Sequence, residues 1–399
     1  METIGKGPRE MNILQVSSFF KPSWEAGGVT RVSYEISKHL KKRGHNVTVY
    51  TTNRSLYPIP VDANRSTDVE GINVYYFENL RKYFPSKASP IMVPYYLPFV
   101  ARKEVKNFDV IQLHDHRTLL AVIVHYYAQK HHVPYVVQAH GSLPNTIGRT
   151  RMKRAFDLLW GNRIINDAAK VIALNQTEAD ECRKAGVTEK NIEIMPNGID
   201  LSEYDTLPKE GSFREKYGIE KNDKVILYVG RLDRTKGIDL LVKSFADVSN
   251  TMDDARLILL GPQYGYEVEL KELIHHYNIE NKVKITGFVT PEEKMAAFTD
   301  ADVFVTPSFT GFPITFMEAC LCGVPIITTN KGDLLDWIDN KVGYVVDYDQ
   351  KALGEAIVKI SSDEDLRMRF GEEAKNMVWN RFNWKTIVAE LEEMYNGVV

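Results

Sequence analysis

The chain has 399 residues, 44% hydrophobic and 26% charged, which excludes a disordered protein and favours two domains of roughly 200 residues over a single core. Three cysteines, Cys182, Cys320 and Cys322, make neither a disulfide framework nor a zinc set, and no stretch reaches the ~18 apolar residues of a transmembrane helix. The net charge of −3 hides an asymmetry: residues 1–199 carry 27 Lys and Arg against 18 Asp and Glu, and the remainder 23 against 35, so the halves should face different partners, with no nucleic acid among them.

The opening "METIGKGPRE" lacks an apolar h-region and reads as a tail before the first strand; with the unpaired cysteines it points to a reducing, cytoplasmic setting. "MNILQVSSFF" has the pattern of a buried strand. The Gly-rich "PSWEAGG" follows, then an amphipathic helix with Val29, Val32, Ile36 and Leu40 on one face, then the strand "GHNVTVYTT". This βαβ unit predicts a parallel sheet with a right-handed crossover. Further strands are expected at "FDVIQLH", "VPYVVQAHG", "AKVIALN" and "NIEIMPNG", with a helix at "QTEADECRKAG" started by Thr177 and Asp180 as a capping-box variant. Pro196 to Asp223 is rich in turn formers and charge, and reads as a linker. Alternation then resumes with strands at "KVILYVG", "ARLILLG", "KVKITGFV", "DVFVTPS" and "VPIITT" and helices near Ile238–Val248, Glu267–Tyr277 and Pro291–Thr299. Two α/β domains of Rossmann type are the result. The last helix, about Trp384 to Tyr395, follows a break and is a candidate to pack away from the second domain.

Several residues fall where ligands bind in such sheets, beyond the carboxyl ends of strands. In "LYVGRLDRTKG" a strand ends at Gly230, Arg231 follows, and Lys236 opens a helix; the pair suits a diphosphate, or is simply two surface cations at a turn. In "TGFPITFMEACLCGVPII", Gly311 and Pro313 precede a helix whose first N–H groups, at about Ile314 and Thr315, are free donors. Glu318 lies a turn further in, a lone carboxylate in an apolar run. Unpartnered burial there would cost several kcal/mol, so it meets either the vicinal hydroxyls of a ribose or a core Arg. "QAHGSLP" puts His140 and Gly141 at another strand end, where the histidine could meet a ligand hydroxyl. Gly27 and Gly28 open the first helix and either admit a phosphate or sugar or form a tight turn. His114, Asp115 and His116 alternate across a strand and make a metal site improbable. Finally, Arg149, Arg151, Lys153, Arg154 and Arg163 surround Phe156, Leu158, Leu159, Trp160 and Ile164, a basic and apolar combination that suits an anionic membrane surface or a protein core.

Together, "GGVTRVSYEISKHLKKRGHNVTVYT", "VIALNQTEAD...IMPNGID", "YVGRLDRTKG" and "GFPITFMEACLCGVPII", in this order, resemble the retaining glycosyltransferases of the GT-B fold, from Met11 to about Tyr395. The resemblance implies two Rossmann-like domains with parallel sheets facing across a deep cleft. It implies an acceptor-binding domain at 1–205, joined by the helix 383–399, and a nucleotide-sugar-binding domain at 206–382. By position, Arg231 and Lys236 match the family's diphosphate clamp, and Glu318 its ribose-binding Glu. Gly311, Phe312, Pro313, Ile314 and Thr315 match the loop that holds the distal phosphate and sugar; Gly230 and Phe288 join the same site. His140 matches a His-Gly position beside the transferred sugar, and Gly28 a glycine-rich acceptor-side loop. The implied catalytic set is His140, Arg231 and Lys236, without metal or other cofactor. The implied reaction moves a sugar from a nucleotide diphosphate to an acceptor hydroxyl, on a lipid-linked or cell-surface glycan. One departure stands out: the family motif is Glu, seven residues, Glu, and here Thr310 holds the first place. It leaves room for two alternatives, a nucleotide-sugar-binding protein without transfer and, further off, a nucleotide-sugar 2-epimerase.

Overall fold

The structure, a computed structural model, describes residues 9–53, 63–80, 92–143, 150–262, 265–309, 311–333 and 335–399. Thr310, Arg149, and residues 1–8 and 81–91 lie outside these. The chain divides into two units: Met1–Gly198 with Trp384–Val399, and Ile199–Asn383, so the segment 199–205 goes with the second.

The described strands of the first unit are β1 (Asn12–Ser17), β2 (Asn46–Thr52), β3 (Ser66–Val69), β4 (Ile72–Phe77), β5 (Val110–His114), β6 (Tyr135–Gln138), β7 (Lys170–Ala173) and β8 (Ile192–Ile194). Its helices before the second unit are α1 (Gly28–Lys42), α2 (Leu97–Glu104), α3 (Leu119–His131), α4 (Thr150–Phe156), α5 (Asn162–Asn166) and α6 (Gln176–Lys184). The second unit supplies β9 (Lys224–Val229), β10 (Ala255–Leu260), β11 (Val283–Gly287), β12 (Val303–Thr306), β13 (Ile326–Thr329) and β14 (Gly343–Val346). Its helices are α7 (Ser212–Tyr217), α8 (Ile238–Thr251), α9 (Glu267–His276), α10 (Pro291–Thr299), α11 (Ile314–Leu321), α12 (Gln350–Ser362) and α13 (Glu364–Arg381). The chain ends with α14 (Trp384–Asn396) in the first unit.

Each unit is built on one sheet among the described residues. The first runs β3-β4-β2-β1-β5-β6-β7-β8, parallel except for the β3/β4 hairpin; the second runs β11-β10-β9-β12-β13-β14, parallel throughout. Both orders reverse direction once, between β1 and β5 and between β9 and β12. There the connections leave toward opposite faces and open a crevice at the strands' carboxyl ends. Parallel strands covered on both faces are apolar throughout, as in Val225 to Val229, all buried.

α14 packs through Trp384, Ile387, Val388, Leu391 and Tyr395, spaced as one helical face, onto the core that holds Ile13, Val110 and Val136. Each such side chain contributes about 1.5–3 kcal/mol by leaving water. Gly198 makes the entry possible, since a Cβ there would lie 2.7 Å from the Trp384 ring.

Two expectations need correction. The cap of α6 is Asn175, whose side chain accepts from the Glu178 N–H at 2.9 Å, not Thr177. The stretch Pro196 to Asp223 is not a bare linker: it contains α7, with Phe213 buried. Asp300 holds that helix's start, accepting from the N–H groups of Gly211 (2.6 Å), Phe213 (2.9 Å) and Arg214 (3.0 Å). Asp300→Ala removes all three hydrogen bonds and should cost about 2 kcal/mol, read as a lower urea midpoint at unchanged slope for the transition that exposes Trp337.

Candidate functional site

Most candidate residues of the second unit follow β9 and β12, the two strands at its reversal point. β9 ends into Gly230, whose N–H donates to Leu260 O at 2.9 Å, and β10 ends into Gly261. The two backbones touch: a Cβ on Gly261, at φ +145°, would sit 2.0 Å from Gly230 O, and one on Gly230 would meet the Tyr228 hydroxyl at 2.8 Å. No side chain fits there, so the strand ends form an open backbone floor. Arg231 follows, with its side chain 54% exposed and 3.6 Å from Asp233. Asp233 caps the short turn Arg234–Lys236 by accepting from Thr235 N at 2.9 Å, and Gly237, at φ +68°, turns the chain into α8. Burial pushes the Lys236 ammonium below the usual lysine range, and the Arg231 charge adds to it. The two cations therefore share one electrostatic neighbourhood.

Across the reversal, the segment after β12 leads to α11. Gly311, at φ +76°, donates its N–H to Asp333 at 2.6 Å, so that amide is already used. Pro313 precedes the helix in extended conformation and no side chain caps it, which leaves the first-turn N–H groups of Ile314 and Thr315 without an intrahelical acceptor. The Phe312 side chain is buried against Trp337 and Phe382, with ring centroids 5.9 and 5.2 Å away; only its main chain remains for a ligand. Phe288, just past β11 and Gly287, is 80% exposed.

Glu318 is 3% exposed. Its Oε1 accepts from Lys294 Nζ at 2.5 Å and from the Tyr204 hydroxyl at 3.1 Å, whereas Oε2, equally buried, has no hydrogen-bond partner among the described residues. The core Arg that the sequence left open is a lysine from α10, 24 residues away, joined by a tyrosine 114 residues away. Neither carries a local signal in the sequence. An ion pair on one oxygen makes burial tolerable and holds the other ready for two donors.

In the first unit, Gly27 (φ +98°) and Gly28 start α1 beyond β1 with no side-chain cap, and an added Cβ at either would meet nothing within 4 Å. His140 (φ +51°) and Gly141 (φ +75°) are consecutive left-handed residues beyond β6. Their loop is fastened from two sides. Buried Glu178 accepts from Gly141 N at 2.6 Å and Leu174 N at 2.8 Å. Arg117 forks onto Asp157 at 2.8 and 2.7 Å while donating to the carbonyls of Ser142 and Leu143. His140 is half-buried, and burial lowers its pKa to about 4, so the ring is neutral at pH 7; the Asp115 charge works weakly the other way. His114 ends β5 and bonds to His140 through ring nitrogens 3.0 Å apart. Sequence reasoning gave no role to His114, Arg117, Glu178, Lys294 or Tyr204, because each acts through a partner distant along the chain.

Comparisons with known proteins agree with this layout. The family profile "Glycosyltransferase Family 4" matches residues 26–203, and "Glycosyl transferases group 1" matches 209–377. An uncharacterized glycosyltransferase of Methanocaldococcus jannaschii is 25% identical over 94% of this chain and 96% of its own. The N-acetyl-alpha-D-glucosaminyl L-malate synthase of Bacillus anthracis is 24% identical over 94% of each. Among solved structures, Anabaena HepE in complex with UDP and glucose aligns with a TM-score of 0.71 at 21% identity, over 97% of this chain and 100% of that one.

Lys294→Met strips Glu318 of its countercharge and should destabilise the protein by about 3 kcal/mol. The double variant Lys294→Met/Glu318→Leu should recover most of that loss, both read by thermal unfolding.

Proposed function

Since the chain belongs to the GT-B glycosyltransferases, with the two family profiles covering 26–203 and 209–377, we propose that it moves a hexosyl group from a nucleotide-diphosphate sugar to an acceptor hydroxyl, with retention. The observation that carries this reading is Glu318: a buried carboxylate with one oxygen paired to Lys294 and the other unpaired, on the helix that follows β12, while the Arg231 and Lys236 cations follow β9, its neighbour across the reversal. Glu318 Oε2 takes the ribose hydroxyls. Arg231, Lys236 and the first-turn N–H groups of α11 hold the diphosphate, Phe288 offers a face to the base, and the main chain of Gly230 and of Gly311 to Thr315 lets the phosphates and sugar approach. His140 accepts from a hydroxyl of the transferred sugar, and Gly28 leaves room for the acceptor.

In the transfer step the acceptor oxygen bonds to the anomeric carbon as that carbon's bond to the diphosphate oxygen breaks. The leaving diphosphate takes the acceptor's proton. Negative charge grows on the leaving diphosphate, where two protein cations stabilise it, as positive charge grows at the anomeric carbon, and the proposal invokes no metal. The acceptor is a glycan or lipid-linked hydroxyl. In favour of a lipid surface, Leu158, Leu159 and Trp160 are 82%, 58% and 42% exposed in the helical stretch that also bears exposed Arg151, Arg154 and Arg163. Ile164 and Ile165 of the same stretch are core. No helix among the described residues is long and apolar enough to cross a membrane. Thr310, in place of the usual first Glu, favours a second reading, a nucleotide-sugar binder that does not transfer.

A thermal-shift screen of UDP-, GDP- and ADP-sugars should identify the donor, because a ligand of the folded state raises Tm. With that donor and chelator present, Arg231→Ala and Lys236→Ala should each lower transfer about 100-fold or more; undiminished turnover in both overturns the assignment. A donor that binds yet is not consumed with any of a panel of lipid-linked acceptors identifies the binder instead. A bound diphosphate draws the Lys236 pKa back up, so the complex holds more protons than the free protein. Affinity should therefore fall as pH rises from that lowered pKa toward the ordinary 10.5, measured by calorimetry. Vesicles rich in anionic lipid should sediment the protein at low salt and release it at high salt, and replacing Leu158, Leu159 and Trp160 with Ser should abolish the binding.

A further inference from the structure

The face of the first sheet that carries α14 changes character along its strands. Ile13, Val110 and Val136 are apolar, yet two residues further on stand Gln15, Gln112 and Gln138, then His114, each at most 3% exposed. Buried polar groups survive only when paired, and these are paired in a single line. His140 Nε2 lies 3.0 Å from His114 Nδ1, and His114 Nε2 lies 2.8 Å from Gln15 Oε1. Gln15 Nε2 donates to the Tyr395 hydroxyl at 3.2 Å, Tyr395 donates to Gln112 Oε1 at 2.5 Å, and Gln112 Nε2 donates to Gln138 Oε1 at 3.0 Å.

The order of donors follows from one proton. A phenol has a single hydrogen, and Tyr395 gives it to Gln112, so toward Gln15 it only accepts. Gln15 must then present its NH2 to Tyr395 and its carbonyl to His114. A carbonyl only accepts, so His114 Nε2 carries the hydrogen. Burial and the neighbouring His140 hold His114 well below the ordinary histidine range, so it is neutral with one N–H, and its Nδ1 accepts. Every bond in the line points the same way, an arrangement in which each strengthens the next.

We propose that Tyr395 on α14, acting through Gln15 and His114, fixes His140 as the Nε2–H tautomer and thereby presents its unprotonated Nδ1 as an acceptor for a hydroxyl of the transferred sugar. Among the described residues, His140 makes no other hydrogen bond, so Nδ1 is available. The assignment of the tautomer stands on the hydrogen-bond order and on a neutral, buried His114; the sugar as its ligand rests on the transfer reading above. Gln15, His114 and Tyr395 are positioning residues, since none reaches past His140.

The test uses the full chain labelled with 15N-histidine, with His140 resonances assigned by their loss in His140→Gln. Long-range proton–nitrogen correlations should show a pyridine-type Nδ1 and a pyrrole-type Nε2 in the unmodified protein; the reverse pattern overturns the proposal without any variant. Tyr395→Phe should convert the single tautomer into a mixture. Gln112→Leu should do the same with α14 and its phenol left in place, because the Tyr395 proton is then free to turn toward Gln15. A single unchanged tautomer in both variants overturns the directional relay. With a donor identified, Tyr395→Phe should reduce kcat/KM about tenfold, the worth of one hydrogen bond. A scrambled tautomer with undiminished transfer overturns the role given to Nδ1. An ordered tautomer in a protein that transfers nothing counts against the proposed function while supporting the relay.

Discussion

A carboxylate can be buried at Glu318 only because Lys294 and Tyr204 meet one of its two oxygens, and much of the second unit is arranged around that pairing. The ammonium comes from α10, the phenol from the short turn Leu201–Tyr204 at the unit's beginning, and the carboxylate from α11. Three separate stretches of chain must therefore be in place before the charge is tolerable. The unpaired Oε2 is what remains: a strong acceptor already stripped of water, whose desolvation has been met by the folding of the protein and need not be met again by a ligand.

The surroundings follow the same logic of removing obstacles. Gly261 lies so close to the Gly230 carbonyl that it could bear no side chain, and a Cβ on Gly230 would meet the Tyr228 hydroxyl, so the floor they make consists of main chain. Asp333 uses the Gly311 amide and Asp233 fastens the turn before α8, so the loops at the reversal point are held by protein carboxylates, and no side chain caps the start of α11. In the first unit, Glu178 accepts from the His140 loop as Asp333 and Asp233 do here, and Arg117 adds donors to the loop's carbonyls.

Sequence reasoning found what is local and missed what is distant. β1, α1, β2 and the strands β5 to β13 announce themselves through buried runs or a helical stripe, and the strand ends that carry Gly230, Arg231 and His140 follow from them. The β3/β4 hairpin and β14 went unread; β3, Ser-Thr-Asp-Val, offers no apolar run. α7 was hidden in a turn-rich stretch, its cap supplied by a carboxylate 87 residues away. The fate of Glu318 was open between two partners for the same reason, since its lysine and tyrosine leave no trace near it in the chain. Phe312 sat in the right loop, and only packing against Trp337 and Phe382 shows that its ring is committed elsewhere.

The return of α14 to the first unit has a bearing on how the protein is made. Trp384, Ile387, Val388, Leu391 and Tyr395 complete a core whose other members lie within the first 195 residues. On the ribosome, that half emerges early yet stays unfinished until α14 is made, with the whole second unit synthesised in between. The nascent N-terminal half must wait with Gln15 and Gln112 short of their Tyr395 partner, and a chain that stops before α14 would lack the helix that closes this core, whatever the state of the second unit.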